Sequence, residues 1–203
     1  MYKISIGAEE IENLEPGGFT GDIVVVDSEG PEFEAAISYL KKQKVLGFDT
    51  ESRPCFSPDQ PHYGTSLLQL SGPRRAYLFR VKKMGIPRKL RAILATPKIV
   101  KVGAAVADDI RGLQRIEHFD ARSFADLQKI VWEYGIKDKS VKKMTAIILG
   151  IRISKTQQLS NWEAVNLSEA QQKYAATDAW VCREMYLRLM ASEKNPLTEE
   201  QMK

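Results

Sequence analysis

Short apolar runs alternate with amphipathic stretches along most of the chain, a pattern typical of an α/β domain. Runs rich in β-branched and aromatic residues predict strands at residues 23–26, 45–51, 66–70, 76–79, 99–102 and 123–125. Apolar positions three or four residues apart predict helices at about residues 31–42, 87–94, 108–116, 127–134, 141–149 and 169–189. We expect one domain over residues 23–192, an N-terminal arm at 1–22 that contributes little to the core, and a C-terminal tail at 193–203.

The second predicted strand ends in two acids, and a proline-rich loop at residues 53–64 follows it. Asp49 and Glu51 are two positions apart, so they share a strand face with Val45 and Gly47. Two neighbouring carboxylates repel each other and lose hydration, a cost that protonation or a bound cation relieves. Taken alone, a strand that runs out into solvent is the more common explanation.

Two predicted helices each supply one further acid. In the last helix Asp178 lies within an apolar stripe that also holds Tyr174 and Val181. A buried aspartate of this kind is either a metal ligand or a structural residue with its own hydrogen bonds. In the helix at 108–116, Asp109 shares the apolar face with Leu113, whereas Asp108 falls on the polar face. Asp109 is therefore the fourth candidate.

Four carboxylates from separate elements are hard oxygen ligands, which suit Mg²⁺ or Mn²⁺ better than zinc. Two such ions about 4 Å apart support in-line displacement at phosphorus, the chemistry of a nuclease. Tyr174 precedes Asp178 by one helical turn, so its hydroxyl either orients the attacking water or packs in the core. The metal interpretation requires the four acids to converge, and a lysine or an apolar side chain in their midst would contradict it.

Composition narrows the class of protein only slightly. The 203 residues include 43% hydrophobic residues and carry a net charge of +4, which permits an anionic partner without requiring one. No leader and no apolar run of membrane length is present, and the two cysteines, Cys55 and Cys182, fit a reducing compartment. We therefore expect a cytoplasmic protein without a membrane partner, and we assume a monomer. Two scattered histidines do not suffice for a zinc site.

Five short motifs follow one another along the chain. They are Phe48-Asp49-Thr50-Glu51, Leu67-Leu68-Gln69-Leu70, the helix around Asp109, Ser160-Asn161-Trp162-Glu163, and Tyr174-Ala175-Ala176-Thr177-Asp178-Ala179. Together they resemble the motifs of the tyrosine-type DEDD 3′-5′ exonucleases, which include ribonuclease D and the exonuclease domain of the Werner syndrome protein. The resemblance extends from about residue 23 to 189, and the histidine-type branch is disfavoured because Lys173 occupies its histidine position.

The resemblance implies an α/β, ribonuclease H-like fold, with a mixed, twisted five-stranded sheet flanked by helices. It also implies roles for the acids. Asp49, Glu51 and Asp178 would hold one divalent ion, Asp49 and a water-linked Asp109 the second, and Tyr174 would orient the nucleophile.

The residues that bind the substrate are less well defined. The resemblance places Thr50, Leu67 and Gln69 near the terminal nucleotide, although Leu67 also suits the core. Trp162 either stacks on a base or packs. A basic run either follows the phosphates or forms a solvated helix face; it comprises Lys137, Lys139, Lys142, Lys143, Arg152 and Lys155.

We expect a metal-dependent 3′-5′ exonuclease that acts on single-stranded or recessed 3′ ends and releases nucleoside 5′-monophosphates. The order of the motifs and the short chain after the last helix favour DNA slightly over RNA. Ribonuclease D-like trimming of RNA 3′ ends is one alternative. A catalytically silent nucleic-acid-binding module is another, although such modules usually lose one of the acids, and none is lost here.

Overall fold

A computed structural model describes residues 1–57 and 63–202 of the chain. Part of the expected loop at 53–64, including His62, lies outside the described residues. The strands are β1 (Asp22–Val26), β2 (Val45–Ser52), β3 (Thr65–Ser71), β4 (Arg75–Phe79), β5 (Val100–Gly103) and β6 (Phe124–Asp126). All six predicted strands are confirmed, and no strand end shifts by more than one residue.

The six strands form one mixed sheet in the order β1-β4-β3-β2-β5-β6. β3 runs antiparallel to both its neighbours, β2 and β4, and the other pairings are parallel. β3 and β4, which follow each other in the chain, form an antiparallel hairpin. The sheet has one strand more than the five that the resemblance implied.

Helices cover both faces of this sheet. The six predicted helices are confirmed, except that the one expected at 127–134 is a four-residue α-helix followed by a 3₁₀ turn, Val131–Tyr134. Three short helices, Ala8–Glu12, Val81–Met84 and Glu199–Met202, have no counterpart in the sequence pattern, because four or five residues are too few to show a helical period. The helices are α1 (Ala8–Glu12), α2 (Pro31–Leu40), α3 (Val81–Met84), α4 (Arg88–Ala95), α5 (Val106–Ile116), α6 (Leu127–Ile130), α7 (Val141–Leu149), α8 (Glu169–Met190) and α9 (Glu199–Met202).

The apolar core lies in two layers, one on each face of the sheet. Leu46 and Phe48 of β2 point into the larger layer, where they meet residues of α2, α4 and α5. The opposite face is covered by α8, which packs along β2, β3 and β5 and is backed by α7. No helix in the described part of the chain combines the length and apolar composition that a membrane crossing requires.

The contact between α8 and β2 is unusually close because Gly47 has no side chain. A Cβ atom at this position would lie 1.8 Å from the carbonyl oxygen of Ala179. Gly47 is two residues before Asp49, and Ala179 directly follows Asp178. The glycine therefore sets the distance between the two elements that carry these acids.

The N-terminal segment, residues 1–22, packs on the domain more closely than the sequence indicated. Ile6, Ile11 and Phe19 are buried. The Phe19 amide donates to Oγ1 of Thr177 on α8, at 3.1 Å. Isolated apolar residues in an acidic, glycine-rich stretch form no period, so local pattern did not reveal these contacts.

Candidate active site

The carboxyl end of β2 supplies two acids on the face that α8 covers. Asp49 lies opposite Gln69 of β3, and Glu51 lies opposite Leu67. On the other edge, the pairing of β2 with β5 covers Val45 to Gly47. Both acids therefore lie beyond the stretch in which β2 is paired on both sides.

Helix α8 brings the third acid to this point. Its first turn is fixed by a capping box, in which Ser168 and Gln171 exchange hydrogen bonds. Asp178, 5% exposed, then faces the end of β2. Carboxylate oxygens of Asp49, Glu51 and Asp178 all lie within 4.8 Å of one another. The predicted convergence is thus found for three of the four acids.

Burial and mutual repulsion make these carboxylates hard to ionise. Burial is the largest influence on each of the three, and it raises the pKa of Asp49 well above its usual range. Burial, with repulsion from Asp49 and Asp178, raises the pKa of Glu51 to about 10. Such a cluster gains most from a cation that neutralises several oxygens at once.

Asp109 approaches from the opposite face of the sheet, on α5. Its Oδ1 accepts a hydrogen bond from Oγ1 of Thr50 at 2.5 Å. Burial is the largest cause that raises the pKa of Asp109, to about 6. The charge of Asp109 in turn helps to raise the pKa of Asp49. Asp109 is therefore close to the three-acid cluster but is held beside it, whereas the Asp108 side chain is 84% exposed and pairs with Arg111.

The start of α5 is held by an aspartate that sequence reasoning missed. Ala105 precedes the helix with a left-handed backbone, φ 58°, and its N–H donates to Oδ1 of Asp126 at 2.9 Å. The same oxygen accepts from Gln128 N at 3.1 Å and caps α6. An aspartate directly before a predicted helix is a recognisable capping signal, so this role could have been found from the sequence.

Tyr174 lies one turn before Asp178 and is 6% exposed. Burial, together with the charges of Asp178 and Glu51, raises its pKa far above the usual value. The hydroxyl therefore stays protonated and is available as a hydrogen-bond donor beside the acids. Its ring also packs against Trp162, with ring centroids 5.9 Å apart.

A lysine also reaches the acids, and this bears directly on the metal interpretation. Lys155 Nζ lies 3.0 Å from Oδ2 of Asp178 and 3.4 Å from the Tyr174 hydroxyl. A lysine among the four acids was stated above as evidence against a metal site, and Lys155 fulfils that condition in part. However, one ammonium does not neutralise three carboxylates, and the pKa of Glu51 remains raised to about 10 beside it. The sequence left Lys155 either on a phosphate-binding surface or on a solvated helix face, because no local period connects it with an aspartate 23 residues away.

The donor set fits a divalent cation in spite of this lysine. Oδ1 of Asp178 is buried and has no hydrogen-bond partner among the described residues, so one lone-pair direction is left for a ligand. The cluster consists of carboxylate oxygens, the ligands that Mg²⁺ and Mn²⁺ prefer. Asp49, Glu51 and Asp178 are therefore the residues that could hold a metal.

The predicted substrate-binding residues separate into three groups. Thr50, Leu67 and Gln69 lie at the acids, but Leu67 and Gln69 are fully buried. Both amide atoms of the Gln69 side chain lack a hydrogen-bond partner within the described part of the chain. Trp162 is also fully buried and packs rather than presenting a face for stacking.

The predicted basic run does not form one surface. Lys142 pairs with Glu12 of the N-terminal segment, and Lys143 pairs with Asp138 at 2.8 Å. Arg152 also pairs with Glu12. Lys142 and Arg152 are thus directed toward the N-terminal segment, and Lys155 is the member of the run that contacts the acids.

Comparison with known protein families gives a direct match over most of the domain. Residues 24–192 match a family model described as 3′-5′ exonuclease. Exonuclease 3′-5′ domain-containing protein 2 of Drosophila melanogaster is 33% identical over 176 residues, which cover 82% of this chain and 30% of that protein. Ribonuclease D of Gluconacetobacter diazotrophicus is 28% identical over 177 residues, which cover 85% of this chain and 43% of that protein. The chain thus spans less than half the length of these relatives.

Solved structures show the same fold. The Nibbler EXO domain of Aedes aegypti superposes with a TM-score of 0.71 at 23% identity, covering 86% of this chain and 91% of that one. Escherichia coli RNase D superposes with a TM-score of 0.73 at 19% identity, covering 86% of this chain and 45% of that one. The expected ribonuclease H-like α/β fold is therefore confirmed, with a six-stranded sheet.

Proposed function

Because the chain belongs to the 3′-5′ exonuclease family, and because three of its carboxylates meet at one point, we propose that it hydrolyses nucleic acids from their 3′ ends. The products are nucleoside 5′-monophosphates. The single observation that carries the proposal is the cluster of Asp49, Glu51 and Asp178, whose oxygens lie within 4.8 Å of one another.

The reaction depends on Mg²⁺ or Mn²⁺, and the likeness to the tyrosine-type enzymes favours two ions. Asp49, Glu51 and Asp178 would hold the first, and Asp49 with Asp109 would serve the second. When bound, such ions polarise the phosphate and lower the pKa of water. Support comes from the oxygen-only donor set and from the unpartnered Oδ1 of Asp178.

Tyr174 orients the attacking water in this proposal. Its hydroxyl is protonated, lies one helical turn from Asp178 and sits at the edge of the acid cluster. A donor held in place by core packing fixes one direction of approach to the phosphorus. The Phe variant keeps the ring that packs on Trp162 and removes only the hydroxyl.

The substrate enters beside β3 and β4. Ser66, next to Leu67, lines a cavity of about 170 Å³ that also contains three basic residues, Arg80, Lys82 and Lys83, and one acid, Glu163, which pairs with Lys82. Positive charge at the edge of the site suits the phosphates of a single strand or a recessed 3′ end. We propose DNA as the preferred substrate. RNA trimming is the second candidate, since relatives of this chain include ribonuclease D enzymes.

A degradation assay tests the proposal. The chain is incubated with matched 5′-labelled DNA and RNA oligonucleotides, single-stranded and in recessed duplexes, with Mg²⁺, Mn²⁺ or EDTA. We expect a ladder of shortening products that EDTA abolishes. A ladder on RNA alone would contradict the DNA preference, and metal-independent binding without a ladder would identify a silent binding module.

Matched variants assign the ladder to this site. Asp178→Asn should abolish activity, and Tyr174→Phe should lower it about 100-fold, in the range of a positioned proton-transfer group. Asp109→Asn should be strongly impaired, while Asp108→Asn serves as its control because that side chain is 84% exposed. Equal ladders from wild type and Asp178→Asn would refute the proposed site.

A further inference from the structure

Lys155 is the basic side chain that contacts the acid cluster from outside the strands and helices. It lies on the segment between α7 and α8, and its side chain is 31% exposed, compared with 7% for Asp178. Its Nζ is 3.0 Å from Oδ2 of Asp178 and 5.4 Å from the ring centroid of Tyr174. A partly solvated, flexible side chain thus ends at a buried carboxylate.

The charge of Lys155 reaches all three acids. It lowers the pKa of Asp49, Glu51 and Asp178, acting against the larger upward effect of burial. In a cluster without a metal, the ammonium therefore stabilises the ionised form of each carboxylate.

The same position conflicts with a divalent cation. An ammonium that lies about 3 Å from the Asp178 carboxylate and a divalent cation bound by the same carboxylate repel each other strongly in a partly buried site. Binding of the metal must therefore move the ammonium away from Oδ2. The partial exposure of the Lys155 side chain, 31%, and its location outside regular secondary structure permit this movement.

We propose that Lys155 is the internal counter-ion of the metal-free acid cluster and that it competes with the divalent cation for Asp178. It pairs with the Asp178 carboxylate while no metal is bound and is displaced when the metal enters. This makes Lys155 a positioning residue that sets the metal affinity of the site. The inference rests on the metal-dependent function proposed above and concerns a residue outside the four acids.

Lys155→Met removes the charge and keeps much of the apolar stem. Lys173→Met is the matched control, because Lys173 directly precedes Tyr174 but donates to the carbonyl oxygen of Phe19. Lys155→Arg keeps the charge. All variants are made in the full chain and stripped of metal with a chelator.

Titration calorimetry with MnCl₂ alone, at one fixed pH, measures the competition. Lys155→Met should bind Mn²⁺ about tenfold more tightly than wild type, equal to about 1.4 kcal/mol, because the competing charge is gone. Lys173→Met and Lys155→Arg should stay within about twofold of wild type. Equal or weaker Mn²⁺ binding by Lys155→Met would overturn the proposal.

Thermal unfolding in EDTA gives a second readout that does not depend on activity. Lys155→Met should have a lower Tm than wild type by about 2 °C or more, and saturating Mn²⁺ should remove the difference. An unchanged Tm in EDTA would overturn the counter-ion role. Absence of Mn²⁺ binding in every protein would overturn the metal-dependent function itself, whereas equal binding by wild type and Lys155→Met overturns only the competition.

Discussion

Gly47→Ala offers a sharp test of how the site is assembled. The new Cβ would lie 1.8 Å from the Ala179 carbonyl oxygen and 2.5 Å from its carbon, whereas ordinary contacts begin at 3.4 Å. The shortfall is about 1.6 Å. Backbone lies on both sides of the contact, so no side chain can rotate away, and α8 must move off β2 by roughly this distance.

Two quantities should change together. Overpacking of a core costs about 1–3 kcal/mol, and a clash between backbones falls at the upper end or above it. For a domain of this size, 3 kcal/mol lowers Tm by about 6–12 °C. The movement also separates Asp178 from Asp49 and Glu51, and a misplacement of about 1 Å in an active site costs about 100-fold in rate.

Thermal unfolding and Mn²⁺ titration of the purified variant measure both effects. Gly30→Ala is the control, because a Cβ there meets nothing within 4 Å; as the N-cap of α2 it should lose no more than about 1 kcal/mol and should keep the Mn²⁺ affinity of wild type. If Gly47→Ala kept the Tm and the Mn²⁺ affinity of wild type, the close approach of α8 to β2 would be refuted as the feature that sets the cluster.

Three further predictions concern the surroundings of the cluster. In the folded chain, burial and the neighbouring acids raise the pKa of Glu51 from its usual 4.5 to about 10. Metal-free stability should therefore fall as pH rises between these values, by at most about 1.4 kcal/mol per unit, and Glu51→Gln should flatten the slope of Tm against pH in EDTA. Asp126→Ala should lose about 1–2 kcal/mol in denaturant unfolding, with Asp126→Asn recovering most of it. Arg80→Met removes a guanidinium that donates to two backbone carbonyls near Trp162, and should raise hydrogen exchange there without affecting β6.

Each of these has an outcome that would contradict it. An equal pH slope in wild type and Glu51→Gln would show that another group titrates. Wild-type stability in Asp126→Ala would mean that the two N–H groups find other partners. Lys83→Met is the control for Arg80→Met, since Lys83 reaches one of the same carbonyl oxygens at a longer 3.4 Å; equal exchange in both variants would remove the special role of Arg80.

The sequence predicted those parts of the site that follow local periods. Strand alternation placed Asp49 and Glu51 on one face, and helical spacing placed Asp178 beside Tyr174. Contacts between distant segments left no such trace. Lys155 pairs with a carboxylate 23 residues away, and Lys142 pairs with Glu12. Tertiary packing therefore determines which partners the side chains of the basic run contact.

Asp109 and Asp178 belong to helices on opposite faces of the sheet, yet both act on the same short stretch of β2. That stretch extends past Gly47, where the pairing with β5 ends, so side chains from above and below can approach it. Any displacement of this one ribbon is transmitted to both halves of the site at once. The distances between the acids thus depend on the end of β2, and variants that make this stretch more rigid or more flexible should change the positions of all four acids together.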